Sequence, residues 1–250
     1  MTTRSNKKKI DSEPILDYQR TDGDTLRPGT LEFERLSRSL DRRSLDYRFF
    51  KRLFDIVFSL AVLAICVLVL PIILVVLIAT FISSGGFPIY VQERVGRFGR
   101  PLKILKLRTM VVDSDDVEKY LSPEQIKQWQ RERKVDDDPR ITRFGSLCRK
   151  TSIDEVPQFL NVLVGQMSVI GPRPITLDEM NWFGANAPLY LSVPGGITGL
   201  WQSGPRNEAS FENGERQQVE LEYVKDASLK VDLKVFLKTF SAMFSKRTGR

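Results

Sequence analysis

The sequence predicts an α+β fold: a small mixed globular domain on a membrane-inserted helix that breaks at a proline, with amphipathic helices at the interface. Three observations carry this. Residues 56–92 contain no charged side chain, and 56–82 are almost unbrokenly apolar, longer than the ~20 residues needed to cross a bilayer. The rest of the chain mixes short extended runs with helix-period runs, punctuated by Gly and Pro. Near the end, Leu229, Leu233, Phe236, Leu237, Phe240 and Phe244 recur at helical spacing, with Lys230, Lys234 and Lys238 on another face.

Taken in order, residues 1–47 read as a flexible polar tail, with Leu31, Phe33, Leu36, Leu40 and Leu45 spaced for a short amphipathic helix near its end. Residues 48–86 are the membrane-associated segment, too long and too far from the N-terminus for a signal peptide. Pro71 lies near its middle, deletes the hydrogen bond to the Val67 carbonyl and bends the helix. The two arms would be ~27 Å and ~18 Å long. Basic residues flank both sides: Arg48, Lys51 and Arg52 before; Arg94, Arg97, Arg100, Lys103, Lys106 and Arg108 after. The positive-inside rule therefore draws both ends toward the cytoplasm and favours a re-entrant hairpin, while a kinked single-pass helix also satisfies the residues.

Ser83-Ser84-Gly85-Gly86 stops the helix, and residues 87–250 form the cytoplasmic body. Residues 88–96 and 101–110 read as extended segments around a turn, and 123–134 as a helix opened by Ser122-Pro123. The final helix reads either as a core-packing helix with solvated lysines or as one lying on anionic lipid.

Composition bounds the chemistry. The chain has 250 residues, a formal charge of +7 and a pI near 9.4, which implies an anionic partner. It lacks histidine altogether, so Ser-His-Asp and Cys-His catalysis and the usual transition-metal ligands are excluded. Two isolated cysteines, Cys66 and Cys148, give neither a disulfide framework nor zinc spacing and fit a reducing compartment. A hard cation held by oxygen remains, magnesium above all where phosphates are handled.

The densest chemistry lies in DPRITRFGSLCRKTSIDEVPQFLNVLVGQMSVIGPRP, residues 138–174. Ser152-Ile153-Asp154-Glu155 fits a capping box, with Ser152 or Asp154 as the cap, which would place both carboxylates at a phosphate-attracting helix N-terminus. Arg140, Arg143, Arg149 and Lys150 precede the pair, and Arg173 follows in the rigid turn Gly171-Pro172-Arg173-Pro174. Guanidinium forks match phosphate oxygens, and ionised carboxylates suit a nucleophile or metal ligand.

Together with KRLFD at 51–55, PIYVQERVG at 88–96, KLRTM at 106–110 and PGGITGLWQ at 194–202, these segments resemble the bacterial sugar transferases, the monotopic phosphoglycosyl transferases. The resemblance covers residues 48–245. It implies transfer of a sugar 1-phosphate from a UDP-sugar to undecaprenyl phosphate or a similar polyprenol phosphate, the first membrane step of exopolysaccharide or related glycan synthesis. It implies Asp154 as nucleophile and magnesium contact, Glu155 as its catalytic companion, and Arg108, Arg149, Arg173 and Arg206 as phosphate holders. It also implies a re-entrant helix broken at Pro71, and a bacterial inner-membrane location with the catalytic domain, residues 87–250, on the cytoplasmic face.

The sequence departs from the family pattern at Gln166, at Leu70 before Pro71, and at Pro205, which makes the placement of Arg206 less direct. No nucleic-acid partner is expected, because no aromatic platform pattern accompanies the charge. The identity of the sugar and a homodimer are left open. The rival class is a membrane-tethered scaffold or regulator in which Asp154 and Glu155 merely cap a helix.

Overall fold

The computed structural model describes residues 27–132, 134–204 and 213–244. The chain runs α1 (Leu31–Ser39), α2 (Leu45–Leu68), α3 (Leu70–Ser84), β1 (Ile89–Val95), β2 (Pro101–Leu107), α4 (Val117–Tyr120), α5 (Pro123–Glu132), α6 (Arg143–Lys150) and α7 (Gln158–Leu163). It continues through β3 (Ser168–Ile170), α8 (Leu177–Met180), α9 (Ala187–Tyr190), β4 (Gly196–Thr198), α10 (Leu200–Ser203), α11 (Glu215–Asp226) and α12 (Leu229–Phe244). The mixture of helix and strand is the one the sequence predicts.

Residues 31–39, which the sequence assigns to the tail, form a docked helix. Thr30 caps it by accepting from the Phe33 N–H at 3.2 Å, and Phe33 is buried against Gly99. Gly99 has φ +75, and a Cβ there would lie 2.8 Å from the Phe33 ring. Only part of the apolar stripe is used, since Leu40 packs on the core while Leu31 and Leu45 stay exposed.

The apolar segment forms two helices, α2 and α3, bent by 85°. Val69 closes the first and opens the second, so Pro71 falls in the first turn of α3. The break therefore sits two residues ahead of Pro71. Proline tolerates the first turn, where its missing N–H has no helical acceptor to serve. Among the described residues no single helix is long and apolar enough to cross a membrane, whereas the bent pair together has the length and composition. Its outer surface is apolar: Val67, Leu68, Ile72, Val75 and Ile82 are all more than half exposed.

The root of α2 is bound to the body by polar side chains of the KRLFD segment. Lys51 donates to Asp232 of α12 at 2.7 Å, and Tyr47 and Tyr223 donate to the same carboxylate at 2.8 and 2.7 Å. Arg52 donates to the Val162 and Leu163 carbonyls at the end of α7, both at 2.6 Å. Asp55 accepts from the Ser168 hydroxyl and the Val169 N–H at the start of β3.

β1 and β2 form an antiparallel hairpin with Ile89 opposite Leu107 and Val95 opposite Pro101. β3 and β4 pair in parallel through Ser168–Gly196 and Ile170–Thr198. The core gathers around Val162, Met167, Ile170, Ile175, Tyr190, Tyr223 and Val235. The two sequence readings of the last helix divide by face: Val235 is fully buried, while Leu229, Leu233, Leu237 and Phe240 form an exposed apolar row.

Candidate active site

Asp154 and Glu155 lie in a turn of 3₁₀ helix, Ile153–Glu155, between α6 and α7. The capping box expected at Ser152 does not form. Ser152 has φ 56, its side chain caps nothing, and α7 starts only after Pro157. The reason is Pro157 itself, which is comfortable just ahead of a helix and too deep in one begun at Ser152. The two carboxylates thus stand one turn before a helix, on half-buried backbone that solvent reaches.

What holds this turn in place is the approach of α6 to the KLRTM segment. Thr142 caps α6 by accepting from the Gly145 N–H at 2.9 Å, and its own N–H donates to the Thr109 carbonyl. A Cβ at Gly145 would fall 2.0 Å from that carbonyl oxygen, so only glycine permits the contact. At the far end of α6, Arg149 donates through Nε to the Thr109 hydroxyl at 2.9 Å. α6 packs on α3 and α7 packs on α2, so the two arms of the bent apolar pair straddle the helices that flank the Asp154-Glu155 turn. Leu147, Ile153, Leu160 and Val164 expose apolar surface on that same unit.

β2 lies beneath the turn and contributes Lys106. Burial, reinforced by the charges of Arg173 and Arg94, pushes its ammonium down to about 8, while Glu155 and more weakly Asp154 oppose the shift. Lys106 is therefore the group that brings the carboxylate turn and the Gly-Pro-Arg-Pro turn into one electrostatic neighbourhood. In sequence it reads only as flanking charge. Its signal is its register, since it continues the inward-facing positions Leu102 and Ile104 of a strand whose side chains alternate.

Arg173 occupies the turn after β3. Its guanidinium carbon lies 5.7 Å from the centre of the Trp201 ring, and Arg216 sits 3.8 Å from the same centre. Arg94 pairs with buried Glu179 at 2.9 Å. Burial would raise the Glu179 carboxyl, but Arg173, Arg94 and the Thr176 N–H together hold it below its ordinary range. Burial and the neighbouring Arg173 push the Arg216 guanidinium down to about 9. These groups escaped the sequence reading because Arg94, Glu179 and Arg216 come from separate segments that only the fold unites.

Two further arginines make contacts of their own, and a third lies outside the described residues. Arg108 donates to the Phe87 carbonyl at 2.9 Å and lies over the Tyr90 ring, at the junction of α3 with the hairpin. Arg140 is buried in a two-pronged pair with Asp138 and also donates to the Ser114 carbonyl, so it braces a loop. Arg206 lies outside the described residues.

Among the described residues no three Asp, Glu, Cys or His side chains cluster as a metal cage. The available donor set is the adjacent carboxylate pair, which fits magnesium, an ion that takes one or two carboxylates and fills its shell with water and phosphate oxygens.

Comparison with known proteins gives a consistent result. The sequence profile described as bacterial sugar transferase matches residues 46–246. The chain is 42% identical over 218 residues to a UDP-galactose-lipid carrier transferase of Erwinia amylovora, covering 86% of this chain and 44% of that protein. It is 38% identical over 200 residues to the exopolysaccharide production protein ExoY of Rhizobium meliloti, covering 79% of this chain and 86% of ExoY. It is 39% identical over 208 residues to the undecaprenyl-phosphate galactose phosphotransferase of Salmonella typhimurium, covering 82% of this chain and 42% of that protein. The chain thus spans less than half of some of these relatives and most of others.

Proposed function

Because the chain belongs to the bacterial sugar transferase family, enzymes of the transferase kind, we propose that it moves a sugar 1-phosphate from a UDP-sugar to undecaprenyl phosphate or a related polyprenol phosphate, as a first membrane step of exopolysaccharide synthesis. The observation that carries this reading is the placement of Asp154 and Glu155 on an accessible turn, beside Lys106 and in the field shared with Arg173, between helices packed on the two arms of an exposed apolar elbow. The names of the relatives supply the substrates: a lipid carrier and UDP-galactose in one, undecaprenyl phosphate in another.

The Asp154 carboxylate attacks the phosphorus that bears the sugar, the bond from that phosphorus to the bridging oxygen breaks, and UMP departs. An oxygen of the polyprenol phosphate then attacks the same phosphorus, the bond to Asp154 breaks, and the polyprenyl diphosphosugar leaves with Asp154 restored. Splitting the transfer lets two anions approach one after the other, without being held together. The Lys106 ammonium and the Arg173 guanidinium oppose the negative charge gathered at the phosphoryl centre. Asp154, with Glu155 adjacent, would hold magnesium, which when bound neutralises phosphate charge.

The bent pair α2 and α3 is read as a re-entrant hairpin in the bacterial inner membrane, with the catalytic domain on the cytoplasmic face. Such an anchor puts the turn at the depth where a lipid-borne phosphate and a water-soluble nucleotide sugar both reach it.

Two experiments test this. Purified protein in detergent, given labelled UDP-sugars, magnesium and polyprenol phosphate, should turn over and yield a phosphosugar adduct of the protein by mass spectrometry; Asp154→Asn should abolish both. Full turnover by that variant refutes the mechanism. For the hairpin, single cysteines replacing Phe50 and Arg100 in a Cys66→Ala, Cys148→Ala background should both react with an impermeant thiol reagent from the cytoplasmic side. Opposite-sided labelling overturns it.

A further inference from the structure

The backbone of Arg173 is held from two sides by buried groups that the chemistry above does not use. Its N–H points at the Glu220 carboxylate of α11, with both oxygens within reach at 3.3 and 3.4 Å. Its carbonyl accepts from the hydroxyl of Tyr190 of α9. Glu220 and Tyr190 are both almost fully buried, at 1% and 2% exposure. The flanking residues Pro172 and Pro174 have φ fixed by their rings. Beneath them, Gly171 and Gly196 bring β3 and β4 together so closely that a Cβ at Gly196 would lie 2.1 Å from the Gly171 nitrogen.

A buried carboxylate is a costly way to satisfy one peptide N–H, since a neutral acceptor serves the same bond with less loss of hydration. Here it also faces Arg216, which repels the Arg173 guanidinium. Arg94 repels it from the strand side. Glu179 attracts the Arg173 guanidinium while Arg94 and Arg216 repel it, so its aim depends on where its backbone sets the root of the side chain. Resting on the reading in which Arg173 holds a phosphate of the UDP-sugar, we propose that Glu220 and Tyr190 are positioning residues, a two-sided clasp on the Arg173 peptide that keeps its guanidinium aimed at the transferred phosphate against the repulsion of Arg94 and Arg216.

The test is a pair of double-mutant cycles on the full chain in detergent, with the UDP-sugar that the wild type turns over. Tyr190→Phe removes one clasp and keeps the ring packing; Glu220→Met keeps the length and removes the acceptor. Each should lower kcat/KM about tenfold when Arg173 is present, as expected of a misaimed rather than missing group, and less than about twofold in an Arg173→Ala background. A merely structural role gives the same fractional loss in both backgrounds, and that additivity overturns the proposal, as does wild-type activity in both single variants. Should Glu220→Met lack a cooperative melt, the Tyr190→Phe cycle decides alone. A wild type that turns over no UDP-sugar removes the parent reading, whereas an active wild type with additive losses removes only the clasp.

Discussion

At the root of α2 the buried charges Lys51, Asp55 and Asp232 meet partners within hydrogen-bonding distance, whereas around Arg173, among the described residues, the guanidinium groups of Arg94, Arg173 and Arg216 lie near the carboxylates of Glu179 and Glu220 and, through Lys106, near the Asp154-Glu155 turn. The first cluster has nothing left to offer a ligand and acts as a bolt between the apolar elbow and the body. The second is joined through Lys106 to the solvent-reached Asp154-Glu155 turn, where on the proposed reading a substrate phosphate arrives. Burial alone thus fails to separate structural from functional charge. Connection to the accessible carboxylate turn does so.

The sharpest way to break the contrast is to remove the acceptor at the root. Asp232→Ala leaves Lys51, Tyr47 and Tyr223 without their shared carboxylate, and loss of one member of a buried pair destabilises by about 3–5 kcal/mol. The expected outcome is a large fall in the melting temperature of the detergent-solubilised protein, with the KM of the surviving folded enzyme unchanged. A melt like that of the wild type would mean that Arg52 and Asp55 suffice to hold α2.

Next in size is Arg173→Ala, which takes one cation out of the second cluster. Turnover should fall about 10²–10³-fold, the loss typical of a missing donor at a charged transition state, while the melting temperature stays near that of the wild type. If instead stability collapses and kcat/KM of the folded fraction survives, Arg173 belongs with the bolt.

How much of this was legible in the sequence follows the same division. The hairpin, the helix at 123–132 and the last helix stand close to where periodicity and turn residues put them, since each is a local pattern. The break near Pro71 was legible as to existence and displaced by two residues, because a proline starts a helix more readily than it ends one. The capping box at Ser152 failed for an equally local reason, the competing pull of Pro157. Asp154, Glu155 and Arg173 could be nominated from adjacency and motif. Lys106, Glu179, Arg216 and Glu220 could not, because nothing within a few residues of any of them points to the others. Their meaning arises when β2, α8 and α11 converge on one turn.

The smallest expected effect concerns the same cluster and reads it through pH. Burial pushes the Glu220 carboxyl up to about 7, against the lowering influence of Arg216 and of the Arg173 N–H and charge; Tyr190 packs alongside as a neutral hydroxyl. An unfolded glutamate titrates near 4.5. Between those two values the folded chain keeps a proton that the unfolded chain has released. The stability contributed by this group is therefore full below about 4.5 and is lost as pH rises through about 7. Glu220→Gln cannot titrate, so from pH 5 to pH 8 the melting temperature of the wild type should fall by a few degrees relative to that variant. Parallel curves would mean that Glu220 is already ionised at pH 5, with Arg216 and Arg173 holding its charge against burial. A widening gap means that burial outweighs the pull of Arg216 and Arg173 on this carboxylate, and the gap should widen further when a UDP-sugar is added, because an anion bound at Arg173 offsets positive charge that otherwise stabilises the ionised form.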